Sequence, residues 1–437
     1  MIGLLNTAFF LFLVLTAFLV FRAKRRGSIV FILMLFWFVV KVPFYFLDES
    51  FVPEELDLEI YTLDNFSNLI GSKSAFIISA FVAYMIVARR HLVNGFKYNV
   101  PTHLIISSLV LFSLILLLYF EMIGGLHNLW SNLGSRSDVI KGSAFFITIL
   151  WALATIVIVF AARLEKLTQF FIVLFLAACM YVAYGGRSLS VGLFVLWFVY
   201  LFFVDGKMLF NLFNIRIIPL YAIAMAFFII TPLLRQENAF DIYMNSAESI
   251  SLALVNNWQE IFQRLAVPQV ELLVIDYFSL DRIWAGASWL DLSYLFCPVS
   301  VCLGKPPIDD GVYLYNIYLG ADIVPGLPVS DMVASSFPFE TWSIFYANFG
   351  FIGLFVGGAL YGTSLAVISN LCWSANIFTR IYFSLVVGYV AINFFHFSNL
   401  YFGITLIPLL IFLVALFCAA SFRLINFNVH VNGNLKV

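Results

Sequence analysis

Charge is what this sequence has least of. Asp, Glu, Lys and Arg together make up 11% of 437 residues, and there are only 5 His. Soluble domains of ordinary composition are about 25% charged, so a water-soluble fold would have to bury several helices that are apolar on every face. Cysteine is equally scarce at 5 residues, and no Cys/His set has the spacing of a four-ligand zinc site. No nucleotide-binding glycine loop, heptad pattern, internal duplication or low-complexity tract interrupts the chain. In the longest polar interval acids outnumber bases, which argues against a surface that tracks a nucleic-acid backbone. Neither a cofactor nor a resident metal is indicated.

What is abundant is apolar sequence: 63% of residues are hydrophobic, and mean hydropathy is +1.01. Apolar stretches of bilayer length recur throughout, which points to an all-α polytopic membrane protein. Eleven spans are expected, at residues 2–21, 28–47, 69–88, 101–120, 142–161, 167–184, 188–204, 216–234, 343–369, 381–396 and 401–421. The first run lacks a basic segment before it and is followed by RAKRR, so it reads as a retained span rather than a signal peptide. Short segments carrying Arg22, Lys24, Arg25, Arg26, Arg89, Arg90, Lys97, Arg163, Lys166, Lys207, Arg216, Arg380, Arg423 and Lys436 then fall on the cytoplasmic side, with only Glu165 and Asp205 as acids there. That bias puts the N-terminus outside and the C-terminus in the cytoplasm. Lys41 and Glu121 lie near span edges, and charges are expected almost entirely at span ends.

The expected organisation is therefore spans one to eight at 1–234, a large external loop with interfacial helices at 235–342, spans nine to eleven at 343–425, and a short cytoplasmic tail at 426–437. Connections as long as that loop are usually functional elements or small ordered subdomains. Its basic residues before Lys305 are Arg235, Arg264 and Arg282. Guanidinium groups hold phosphate oxygens bidentately and keep their proton, so these are candidates for an anion at headgroup level; the alternative is a structural ion pair for each. Trp258, Trp284, Trp289 and Tyr315 suit either stacking on sugar rings or simple anchoring at the interface. Cys297 and Cys302 have the spacing for a disulfide if the loop is exported, and two structural thiols fit equally well. DDGVYLYNIYLG, Asp309 to Gly320, alternates in part and reads as a short hairpin or lid.

Outside the loop, YGGRSLS places Arg187 at a helix start behind two glycines, where free N–H groups and an arginine together suit an anion; snorkelling to headgroups is the bland reading. The segment Gly124 to Gly142 reads as a short interfacial helix anchored by an aromatic, with Arg136 as its candidate contribution to a polar cavity. The segment Asp48 to Gly71 is acidic and reads as a solvated loop. At re-entry, SSFPFETW puts Glu340 near the first turn of a helix, and Gly350, Gly353, Gly357 and Gly358 predict close packing of the following span. His396, at a turn between the last spans, is a candidate base or phosphate donor, or a packed interfacial histidine.

GGRSLSVGLF (Gly185 to Phe194), NWQEIFQRLAV (Asn257 to Val267) and FPFETWSIFYANFGFIGLFVGG (Phe337 to Gly358) resemble segments of the bacterial O-antigen polymerases, the oligosaccharide repeat-unit polymerases, and more distantly the O-antigen ligases. That resemblance implies a fold similar to membrane-embedded glycosyltransferases that use lipid-phosphosugar donors. It implies polymerisation of undecaprenyl-diphosphate-linked oligosaccharides into surface polysaccharide, at the periplasmic face of the bacterial inner membrane, with undecaprenyl diphosphate leaving. The implied partners are those lipid-linked sugars, membrane lipids, a chain-length regulator and a flippase. Arg187, Arg264 and Arg282 would stabilise the leaving diphosphate, with Arg235 and Arg136 as further binders, and Glu340 or His396 would take the acceptor's proton. The competing readings are an O-antigen ligase, which transfers finished polymer to lipid A-core, and a transporter such as a lipid-linked oligosaccharide flippase; the transporter would show ionisable groups deep in its spans.

Overall fold

Proline-free runs of Leu, Phe, Ile and Ala form the long helices of this chain, where in an apolar medium only internal hydrogen bonding can satisfy the backbone. In a computed structural model, the residues described are 2–23, 28–42, 62–89, 102–131, 139–140, 143–161, 164–185, 187–205, 268–278, 282–294, 297, 302, 304–333, 335–337, 340–374 and 377–392. Among them there is no strand. The helices are α1 (Ile2–Arg22), α2 (Ser28–Lys41), α3 (Leu63–Val87), α4 (Thr102–Met122), α5 (Leu126–Ser131), α6 (Ala144–Ala161) and α7 (Lys166–Tyr184). After them come α8 (Arg187–Asp205), α9 (Pro268–Tyr277), α10 (Ala287–Leu290), α11 (Asp310–Tyr318), α12 (Thr341–Cys372) and α13 (Ile377–Ile392). Five helices, Ile2–Arg22, Leu63–Val87, Leu104–Met122, Leu167–Tyr184 and Thr341–Cys372, are long and apolar enough to cross a membrane. The chain is thus an all-α protein of polytopic membrane type. The expected spans at 216–234 and 401–421 lie outside the described residues.

The chain divides into two compact units that ignore its order: Met1–Leu92 with Phe262–Trp373 and Asn393–Tyr401, and Val93–Ile261 with Ser374–Ile392 and Phe402–Val437. In the first unit α3 and the part of α12 beyond Gly350 run parallel. Ser79 Oγ donates to the Phe355 carbonyl at 2.6 Å, and further along both helices Asn370 Nδ2 donates to the Val87 carbonyl at 3.2 Å. Small residues permit this approach: a Cβ on Gly358 would lie 2.5 Å from the Phe76 carbonyl oxygen, and one on Gly362 would lie 2.1 Å from that of Ala80. The opposite faces, with Ile78, Val82 and Ile86 on α3 and Ile352, Val356 and Leu360 on α12, are exposed, as a lipid-facing surface would be. α1 adds a seam of buried Phe9, Leu13, Thr16 and Val20.

The span expected at 343–369 is not one straight helix. Gly350 has φ 59° and ψ −148°, a conformation essentially restricted to glycine, and it breaks α12 into an arm, 341–349, and a long segment, 351–372. The arm folds back, so that Cβ atoms on Gly353 and Gly357 would strike the Phe345 carbonyl and the Phe345 ring, each at 2.1 Å. The four glycines noted in the sequence therefore do different jobs: one makes the bend, two receive the arm, and Gly358 meets α3, where Gly362 joins it.

In the second unit α6 is the most enclosed helix, with Leu150, Leu153, Ala154 and Val157 buried. α7 ends as the two-glycine turn predicts: Gly185 takes the left-handed conformation at φ 62° and its N–H returns to the Tyr181 carbonyl at 2.8 Å. The last carbonyls of α7 find side-chain donors, Ala183 from the Tyr119 hydroxyl at 2.7 Å and Val182 from Trp130 Nε1 at 3.2 Å. The predicted aromatic anchor on the short helix α5 thus anchors to a helix end. α13 begins four residues before the expected 381, and Arg380, assigned from sequence to a cytoplasmic connection, is buried at 1% exposure within it.

Candidate functional site

Four ionisable side chains from four elements of the first unit meet in one place. Lys41 is the last residue of α2, Lys73 lies inside α3, Glu271 is on the loop helix α9, and Glu340 is the residue from which α12 starts. Lys73 shares a helical stripe with Phe76, Ala80 and Tyr84, so the face of α3 that seats α12 carries it inward. Pro268 opens α9, and the buried Leu272, Val274 and Ile275 that follow fix Glu271 against α3. The Lys41 ammonium donates to Glu271 Oε1 at 2.9 Å and to Glu340 Oε1; the Lys73 ammonium donates to Glu271 Oε2 at 2.7 Å and lies 3.4 Å from Glu340 Oε2. Each cation thus bridges both carboxylates, and the charges alternate around a closed ring.

The site is dry at one end and reachable at the other. Side-chain exposure is 1% for Lys73 and 5% for Glu271, against 18% for Lys41 and 13% for Glu340. Trp342 Nε1 donates to Glu340 Oε2 at 2.5 Å, and the Lys73 ammonium sits 5.7 Å from the centres of both the Phe38 and Trp342 rings, close enough for cation–π attraction. Burial alone would raise the Glu340 carboxyl, but the Lys41 and Lys73 charges outweigh it and hold the group well below the usual carboxylate range. A carboxylate in that state is a poor proton acceptor.

Beside the ring, the described part of the loop has its own small core. Trp284 packs edge-on against Phe278 at 4.8 Å and Tyr313 at 5.6 Å, and its backbone N–H donates to the Ala347 carbonyl of the arm at 2.8 Å. Trp289 lies edge-on to Phe345 and Phe349 at 5.1 and 5.3 Å. Asn348 of the arm donates to Ser288 Oγ at 2.9 Å, and the Tyr313 hydroxyl donates to Asp291 Oδ2 at 2.7 Å. Burial, together with the Asp309 and Asp291 charges, pushes the Asp310 carboxyl well above its ordinary value. The segment read as a hairpin or lid is helix α11, capped by Asp309, whose carboxylate accepts from the Gly311 N–H at 3.0 Å. Cys297 and Cys302 are disulfide-bonded, with Cα atoms 6.1 Å apart.

The structure places the sequence candidates unevenly. Arg282 is exposed, with its guanidinium 5.2 Å over the Tyr277 ring and no ion pair among the described residues. Arg187 is the first residue of α8, as its turn predicts, with its side chain outside the described atoms. Arg136, Arg235, Arg264, Trp258 and His396 lie outside the described residues. Trp284 is buried in the loop core, Trp289 and Tyr315 are half-buried, and Glu340 belongs to the charge ring. Sequence reading expected charge at span ends and so passed over Lys73, the tenth residue beyond Leu63. The available signal was a lysine five residues into the span expected at 69–88. No protein-family model, no curated protein sequence and no solved structure matches the chain.

Proposed function

We propose that the protein is a membrane glycosyltransferase that polymerises undecaprenyl-diphosphate-linked oligosaccharides at the outer face of a bacterial inner membrane. The carrying observation is the ring of Lys41, Lys73, Glu271 and Glu340. It fastens the loop helix α9 to α2, α3 and the start of α12, and the loop keeps the guanidinium of Arg282 exposed and without an ion pair among the described residues. A fixed cation beside a bilayer surface is what a lipid-anchored diphosphate requires.

Three further features support the orientation. The end of α2 precedes the acidic segment assigned outside, the first turns of α3 fall within that segment, and the loop helix α9 docks on these two helices. The parallel course of α3 and α12 agrees with a span count that makes both odd-numbered, the third and the ninth. A disulfide between Cys297 and Cys302 fits an exported loop.

In the proposed reaction a hydroxyl of one repeat unit attacks the anomeric carbon of the growing chain. A glycosidic C–O bond forms, the C–O bond to the diphosphate breaks, and the diphosphate departs with the electron pair. Negative charge grows on the leaving group, so fixed donors stabilise the transition state beyond the bound substrate. Arg187, Arg264 and Arg282 are assigned that role, with Arg235 and Arg136 as further contacts. Glu340, held ionised by two lysines, positions rather than accepts a proton, which leaves His396 or water to take it. Trp258, Trp289 and Tyr315 remain for sugar contact, since Trp284 serves the loop core.

Purified protein in nanodiscs, given synthetic undecaprenyl-diphosphate oligosaccharide and read by mass, should yield multiples of the repeat unit. Arg282→Ala should slow elongation by about 100- to 1000-fold while leaving insertion intact. No elongation by the wild type refutes the reading, and transfer to added lipid A-core instead would make the protein a ligase. One observation favours a second reading, a transporter: Lys73 lies inside a span. Accumulation of the lipid-linked unit on the cytoplasmic face of a deletion strain would select it.

A further inference from the structure

The charge ring is an expensive way to fasten a loop. Withdrawing four charges from water carries a large desolvation penalty that pairing must offset, and packed apolar side chains of similar volume often hold as well or better. An ionisable group within a span is by default a functional one. The pattern of the ring suggests its use. Two ammonium groups are spanned by two acid groups, each offering one oxygen to each cation. A diphosphate presents the same arrangement: two linked acid groups whose oxygens reach two cations at once.

The two carboxylates are not equivalent. Glu271 is on a helix with three buried apolar neighbours and is itself 5% exposed, whereas Glu340 is 13% exposed and precedes the arm that ends in the bend at Gly350. Its side chain makes no capping bond to the helix it precedes. Glu340 therefore lies on the more exposed side of the ring, in the place a more highly charged group would take.

From this we infer that Lys41 and Lys73 form a binding site for a diphosphate group, and that Glu340 is the resident anion which the ligand displaces. The inference rests on the function proposed above for the choice of diphosphate, and it assigns that site two cations which the arginine candidates do not include. With Glu340 in place only a fraction of molecules has the lysines free, so the apparent affinity is lowered by that fraction. Neutralising Glu340 removes the competitor and leaves one positive charge in excess.

The test is calorimetric titration of inorganic pyrophosphate and of geranyl diphosphate into the purified full-length protein in detergent. Glu340→Gln should bind about tenfold or more tightly than wild type, and adding Lys73→Met to it should abolish the gain. A gain with both ligands assigns recognition to the diphosphate group alone; a gain confined to geranyl diphosphate assigns it to a lipid headgroup. Glu340→Gln binding no more tightly, or a gain that survives Lys73→Met, overturns the inference. Should Glu340→Gln not give a monodisperse protein, Lys41→Gln decides: geranyl diphosphate binding lost relative to wild type supports the site, and binding retained overturns it. Because elongation is not measured, elongation without this response sinks the inference alone, and the response without elongation sinks only the proposed reaction.

Discussion

Replacing Lys73 by methionine keeps a side chain of nearly the same length in the seam between α3 and α12, so its effect is chiefly electrostatic. The ring is left with Lys41 between two carboxylates, one negative charge in excess where Lys73 is 1% and Glu271 5% exposed. Removing one partner from a buried pair costs about 3–5 kcal/mol, because the other is left without its counter-charge. Glu271→Gln alone leaves the opposite excess and should cost a similar amount. Lys73→Met with Glu271→Gln removes one charge of each sign and leaves Lys41 matched to Glu340. Neutral groups packed in place of a buried pair are commonly tolerated, so the double variant should recover most of either loss. Contacting groups that share a network couple, and here the non-additivity should be about 2 kcal/mol or more. Denaturant titration of all four proteins in mixed micelles measures it, and limited proteolysis of the loop gives a local readout. Strictly additive losses, or a Lys73→Met protein as stable as wild type, would refute the reasoning, since either outcome requires a ring that water already screens.

Gly362→Ala places a methyl 2.1 Å from the Ala80 carbonyl oxygen and must push α12 from α3. A loss of about 1–3 kcal/mol in the same titration is expected, whereas Gly71→Ala, with nothing within 4 Å of its added carbon, should cost far less. Two acids should pull the pH dependence of loop docking in opposite directions. Glu340 has a folded value below its ordinary 4.5, so its contribution is present above pH 4.5 and is lost as pH falls through the folded value. Asp310 has a folded value above its ordinary 3.8, so its contribution is present below pH 3.8 and is lost as pH rises through the folded value. Protection of α9 and the arm against hydrogen exchange, taken relative to the intrinsic rate at each pH, should fall on acidification in wild type. Asp310→Asn should flatten only the loss at higher pH; an unchanged profile would show that Asp310 does not titrate as stated.

Much of the skeleton was legible in the chain. The end of α7 and start of α8 follow from YGGRSLS, because a left-handed residue at a helix end calls for glycine and Gly185 supplies it. The glycines after Phe349 announced close packing, and Glu340 was placed correctly at a helix start. Less was legible of what packs on what. α1 is apolar on all sides, so no hydrophobic stripe marks the seam of Phe9, Leu13, Thr16 and Val20; shape and small residues choose it, and neither leaves a periodic signal. For the same reason nothing in the order of the chain foretold that 262–373 would assemble with 1–92.

Composition determined the helical class and the presence of apolar helices of membrane length, since an apolar medium admits few ways to satisfy a backbone, and span length follows from bilayer thickness. Tertiary structure alone decided that Lys41 and Lys73, 32 residues apart, would close a ring with Glu271 and Glu340 from the other half of the chain. Coulomb attraction acts between groups near in space, in a medium whose dielectric is set by whatever surrounds them, and neither distance nor surroundings is written in the order of residues.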